Sequence, residues 1–416
     1  MRKLTLALAF MVSGFAISAH ALELVTFART CKTLAGETAP LRQTIVILDE
    51  SVVQKGDGAE KGNLIWKRAL LEIADLVEGA SNGNLDSHER LTIYVARRDG
   101  SELAPVFSGC SPNISTAQRQ ALDERSSFLD WVFTGGPAKA LQSNKSDYKD
   151  ALADATAEVL RAASADTQKG SPGSLLRAMA TASRLVDLSF GIPRVVVISP
   201  LDLGQAENWN SVREAKAAGF ELGAKTALDL ERAEVHIVVL NSVSNQYLRP
   251  FSEALFLQSR GLVIGWRTEG LPQLPPAPTT VRVFGGVVQI GDVPAPVQIR
   301  VAFDTQGTLV NSWIEVTTGR SLATPISGKA ICQSTDNCEI EGDGTLMGQA
   351  WNPDPREEPA FNPQFAWSGL RYFRMSIRAN AGSVRIWDPK VAHIQMGDRQ
   401  VDDFQFDVRR TENQRF

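Results

Sequence analysis

The chain has 416 residues, and its 43 Lys and Arg against 47 Asp and Glu give a formal net charge of −4. With near-balanced charge and no basic stripe, nucleic acid is not an expected partner. The length suffices for two or three domains, and beyond residue 21 no stretch approaches the ~20 uninterrupted apolar residues of a membrane span.

Residues 1–21 read as a secretory signal peptide. Arg2 and Lys3 precede an apolar run from Leu4 to Ile17, and Ala19-His20-Ala21 supplies an A-x-A cleavage site. Position 22 is Leu rather than Cys, so no lipid anchor is indicated, and a periplasmic or secreted location is expected. All four cysteines follow the cleavage site. Four cysteines permit three connectivities; the spacing suits Cys31–Cys110 and Cys332–Cys338 in an oxidising compartment. Zinc is the rival use, but His88, His236 and His393 stand far apart.

After a lead-in over residues 22–39, the stretch Arg42–Val53 (RQTIVILDESVV) carries four consecutive aliphatic residues, Ile45 to Leu48. Such a run predicts a strand buried on both faces. It ends in Asp49-Glu50-Ser51. Helical spacing follows over Leu64–Val77, then strands over Arg90–Arg97 and Leu103–Phe107. Helices are predicted over Ser115–Phe133, Ser146–Ala163 and from Gly170-Ser171-Pro172 to about Leu188, with Ser171 as N-cap and Pro172 in the first turn. Strand Val195–Ile198 runs into Ser199-Pro200-Leu201-Asp202. A helix over Val212–Glu231, a strand over Val235–Leu240, a helix over Asn245–Arg260 and a strand over Leu262–Trp266 complete the alternation. This pattern predicts a doubly wound, mainly parallel α/β domain over residues 40–267.

Residues 268–280 include Leu271–Thr279 (LPQLPPAPT), which reads as a stiff extended linker. Over residues 281–416 the hydrophobic period changes to two. Strands are predicted at Val281–Phe284, Val297–Phe303, Leu309–Val316, Tyr372–Arg378, Val384–Trp387 and Phe404–Val408, which suggests an all-β sandwich. Trp313, Trp351, Trp367 and Trp387 fit its core, with a sugar-binding platform as the alternative use.

The Asp49-x-Ser51 turn at a strand tip resembles the opening of the von Willebrand factor A motif, Asp-x-Ser-x-Ser, and the order of elements over residues 40–267 is similar to that family. The resemblance implies a divalent-metal site at Asp49, Ser51, Ser171 and Asp202. It also implies non-catalytic recognition of a protein partner, of adhesion or envelope-assembly type, at the strand-tip face. The sequence departs from the motif twice: Val53 stands where the second serine belongs, and Pro200 where an acid is expected, with Asp202 two residues on. An ion such as Mg²⁺ takes six oxygen ligands, so no cofactor is expected beyond a weakly held divalent cation. No catalytic residue is assigned. G-x-S-x-G, H-E-x-x-H, a P-loop and a post-strand G-x-G-x-x-G are all absent. The alternative function is an enzyme acting on envelope polymers, or a carbohydrate-binding protein.

Overall fold

A computed structural model describes residues 24–27, 31, 42–52, 85–113, 120, 124, 136–165, 173–181, 191–203, 209–240, 246–268, 274–290, 293–317, 321–334, 336–343, 372–387, 395–396, 399–400 and 403–411. The expected signal peptide, the helix over Leu64–Val77, most of the helix over Ser115–Phe133, and Val53, Ser171, His393, Trp351 and Trp367 lie outside them.

The first part of the chain builds β1 (Val25–Phe27), β2 (Arg42–Asp49), β3 (Arg90–Ala96), β4 (Leu103–Cys110), α1 (Gly136–Ala165) and α2 (Ser174–Thr181). It continues with β5 (Ile192–Ser199), α3 (Val212–Lys225), β6 (Glu234–Val239), α4 (Leu248–Gln258) and β7 (Leu262–Arg267). The seven strands form one mixed sheet in the order β1-β4-β3-β2-β5-β6-β7. Strand β2 lies at the centre, parallel to β3 and β5, and the parallel pairing continues through β6 to β7. The pairing of β3 with β4 is antiparallel. Only Arg97–Glu102 joins them, and a parallel crossover needs a dozen or more residues. Strand β1 then adds parallel to β4.

Every residue of β2 is buried. Its Val46 and Leu48 pack with Tyr148, Leu152, Ala155 and Val159 of α1, which recur at helical spacing. Ile45 and Ile47 face the other way, towards Leu175 and Met179 of α2, Ala215 of α3 and Phe251 and Leu255 of α4. Helix α1 begins ten residues before the expected Ser146, because its first turns carry no apolar stripe for periodicity to detect.

The second part forms β8 (Thr280–Ile290), β9 (Val293–Phe303), β10 (Ser312–Thr317), β11 (Ser321–Ser334), β12 (Asn337–Asp343), β13 (Tyr372–Arg378) and β14 (Ala381–Trp387). A two-stranded pair, β15 (Gln395–Met396) and β16 (Arg399–Gln400), precedes β17 (Asp403–Arg410). Eight of these strands close into an antiparallel barrel in the order β10-β11-β12-β13-β14-β17-β8-β9.

These findings correct the expected fold class. The protein is mostly β, with four α-helices among the described residues. It pairs a mixed sheet with a closed barrel, in place of a doubly wound α/β domain with a β-sandwich. Two strands account for the second half of the error. Ser321–Ser334 and Asn337–Asp343 carry many polar residues and few large apolar ones and are not predicted as strands from sequence, yet they form the hairpin β11–β12 with Cys332 directly opposite Cys338. Without them the remaining strands cannot close. Closure itself depends on Gly286, which pairs with Val408. A Cβ there would lie 2.7 Å from the Asp407 carbonyl oxygen, so only glycine lets β8 approach β17 this closely.

At the amino end of the sheet lies a buried ionic cluster. Glu89 is fully buried and accepts from Arg42 Nε at 3.1 Å and Nη2 at 3.0 Å, from Arg194 Nη2 at 3.2 Å and from Thr44 Oγ1 at 2.5 Å. Arg194 Nε donates to Thr44 Oγ1 at 3.0 Å. Burial alone would raise the Glu89 pKa, but the two guanidiniums outweigh it and hold the carboxyl below its ordinary 4.5. Both arginines also donate to the Pro275 carbonyl, at 2.6 Å from Arg42 and 3.2 Å from Arg194. Leu274 beside it is 1 % exposed within the α1-facing core. The described part of the proline-rich segment is therefore held against the amino end of the sheet.

Removing the carboxylate leaves two buried cations facing each other. Glu89→Gln is expected to cost about 3–5 kcal/mol at neutral pH, the range for breaking a buried pair from one side. A carboxyl with a lowered folded pKa stabilises above its unfolded value and loses that contribution as pH falls through the folded one. Denaturant titrations should show the difference between Glu89→Gln and wild type holding above pH 4.5 and shrinking progressively as pH falls below it.

Candidate functional site

The carboxyl end of β2 carries Asp49, and pairing of Leu48 with Ile198 puts the next residue of β5, Ser199, alongside it. A single 3-10 turn, Glu50–Val52, folds Ser51 back over the strand end. Asp49 Oδ1 accepts from the Ser51 amide at 2.9 Å and the Ser51 hydroxyl at 2.5 Å, while Oδ2 accepts from the Ser199 hydroxyl at 2.6 Å. Ser199 Oγ accepts in turn from the Leu201 amide at 2.8 Å. Leu201 has φ 56°, which turns the chain so that Asp202 follows on the tip. The Asp202 carbonyl accepts from the Gly173 amide at 3.1 Å, bringing the start of α2 to the same place.

The structure thus gathers Asp49, Ser51 and Asp202 from the predicted set; Ser171 lies outside the described residues. Asp49 is 1 % exposed. Burial pushes its carboxyl above the ordinary 3.8; the hydrogen bonds from Ser199 and Ser51 oppose this without reversing it, and the Asp202 charge adds to it. The donor set is all oxygen, the chemistry an ion such as Mg²⁺ takes. It is also sparse: one buried carboxylate whose oxygens are already engaged, with two hydroxyls. Among the described residues no group of three or more His, Cys, Asp or Glu is placed to hold a metal ion.

Two residues were missed from sequence. Ser199 contributes the second hydroxyl. Its signal was a serine one position past a buried strand that pairs with the strand before Asp49. Glu50 is buried at 2 % exposure, with Arg97 Nη1 3.3 Å away and the Arg98 amide donating at 3.1 Å. It pins the β3–β4 connection to the tip.

The other candidates fall elsewhere. His236 is completely buried on β6 and bonded through Nε2 to Glu234, and His88 sits in the turn before β3 with φ 56°. Trp313 is 3 % exposed, with the guanidinium carbons of Arg232 and Arg300 at 4.9 and 5.2 Å from its ring centre. Cys31–Cys110 and Cys332–Cys338 are both bonded. Among the described residues no helix is long and apolar enough to cross a membrane. A scan against protein-family models and a search of curated proteins find no match for this chain.

Two outcomes follow for Asp49. A carboxyl whose folded pKa is raised contributes stability below its unfolded value and loses it as pH rises through the folded one. Asp49→Asn cannot ionise, so its stability relative to wild type should improve as pH rises from 3.8 to neutrality, read from thermal melts. If the site holds a divalent ion only at millimolar affinity, an ion at one Kd adds about 0.4 kcal/mol. Melts in Mg²⁺ or Mn²⁺ against EDTA should then nearly coincide at about 1 mM ion.

Proposed function

We propose that the chain is an exported, non-catalytic binding protein that recognises a protein partner in the cell envelope through the strand-tip face around Asp49, Ser51 and Asp202. The observation that carries this reading is the convergence of three chain segments, at residues 49–52, 173 and 199–203, at the carboxyl ends of the central parallel strands. In this mixed sheet the strands at that end, β2, β5 and β6, run parallel, and side chains just past the carboxyl ends of parallel strands are where ligands commonly bind. The resemblance of Asp49-x-Ser51 to the von Willebrand factor A motif supports protein recognition as the use of the face. The carboxylate at its centre is buried and hydrogen-bonded through both oxygens to the loops around it, which supports a role in holding the loops in place rather than in transferring protons. Export is supported by the signal-like residues 1–21, and two disulfides suit an oxidising compartment.

Site-specific photo-crosslinking tests this reading. A crosslinker at the exposed Asp202 should give a discrete protein adduct in envelope preparations, and one at Lys329 on the barrel exterior should not. Asp202→Lys should weaken capture about tenfold or more without lowering the melting temperature, because a like or clashing charge on a recognition face costs several kcal/mol while the removed charge is one that repels Asp49. Adducts from the barrel position alone would defeat the assignment of the face.

A further inference from the structure

At the barrel mouth where β8 begins, Arg282 occupies an inward position. It shares strand parity with Phe284 and Val288, which pack into the barrel core, and is itself 5 % exposed. Its Nη1 has no hydrogen-bond partner among the described residues. Its Nη2 reaches Asp336, between β11 and β12, at 3.5 Å, and that side chain is 61 % exposed. On the neighbouring strand Arg410 keeps the inward parity of Phe406 and Val408 and pairs with Phe284, one diagonal step from Arg282. Burial first, and then the Arg410 charge, pull the Arg282 pKa down despite Asp336.

The surrounding frame is fixed by backbone bonds. The Ala379 amide donates to the Asp336 carbonyl at 2.7 Å, Arg410 N to Asn380 O at 2.8 Å and Thr411 N to Val283 O at 3.0 Å. Among the described residues, the charges that act on Arg282 at this mouth are the Arg410 guanidinium and one mostly exposed acid, Asp336, and the buried Nη1 of Arg282 finds no acceptor among them. A buried guanidinium N–H left unsatisfied is costly, and a planar fork is best completed by an oxyanion.

We infer that this mouth of the barrel is a subsite for one small oxyanion, a phosphate or a carboxylate group, held by Arg282 and Arg410, with Asp336 as the internal competitor. The subsite is separate from the strand-tip face and does not depend on its function. Asp336 sits on a turn and holds Arg282 only at long range, so an incoming anion displaces it towards water.

Calorimetric titration of the full chain with inorganic phosphate, and separately with acetate, tests this at matched ionic strength in chloride. At least one anion should bind saturably, and the stronger of the two identifies the group the subsite takes. Arg282→Gln should weaken binding about tenfold or more, and Arg282→Lys should weaken it too because the fork is lost. Asp336→Asn should tighten it by removing the competitor. If Arg282→Gln fails to fold, Arg410→Gln at an exposed position decides, with weakening of several-fold expected. Absence of saturable binding by wild type, or an affinity unchanged in the arginine variants, overturns the proposal.

Discussion

Glu89 is the point on which the sheet depends. It is a buried carboxylate in a turn, and burial of a charge is tolerated only when it is paired and hydrogen-bonded. Arg42 on β2 and Arg194 on β5 supply that pairing, with Thr44 between them. The same arginines would be equally costly without Glu89. Burial pulls Arg194 down to about 10, so it remains charged at neutrality and needs its partners. Glu234 on β6 adds a further buried carboxylate within the field of both arginines. The cluster therefore requires β2, β5 and β6 to sit in one register, since a slip of one residue would turn these charges to the opposite face.

That requirement reaches both ends of the molecule. Along β2 and β5 the register fixed at Arg42 and Arg194 carries through to Asp49 and Ser199, so the tip hydroxyls meet the carboxylate because the amino ends are held. In the other direction the Pro275 carbonyl is held by both arginines just before β8 begins. A second contact joins sheet and barrel: Arg300 of β9 donates to the Arg232 carbonyl at 3.2 Å, Arg232 pairs with Glu315 of β10, and Trp313 packs with Leu262 of β7. Burial, then Arg232, pull Arg300 down to about 9.

Ile45–Leu48 and Val195–Ile198 were legible as buried strands because an unbroken aliphatic run has few other uses, and both disulfides followed from spacing and compartment. The barrel was not legible. Period-two alternation marks a half-buried strand but is the same for an open sandwich and a closed sheet, and in β12 the alternation is short, with only Cys338 and Ile340 apolar between Glu339 and Glu341. The site was half legible: Asp49 and Ser51 form a local turn, while Ser199 joins them only through pairing of strands 150 residues apart. The cluster at Glu89 was missed for the same reason. Arg42, Glu89 and Arg194 look like ordinary solvated charges until the strands are aligned, and Pro275, within a run that reads as a linker, is bonded through its backbone, which composition does not report.

The most direct test is amide hydrogen exchange, resolved by peptide, on wild type and Arg194→Met, which removes one of the two guanidiniums while keeping apolar volume. If the cluster governs the sheet, protection should fall together over residues 42–52, 191–203 and 274–280, including the Ser51 and Leu201 amides at the far tip. Loss confined to residues around 194, with 274–280 and the tip unchanged, would contradict the account.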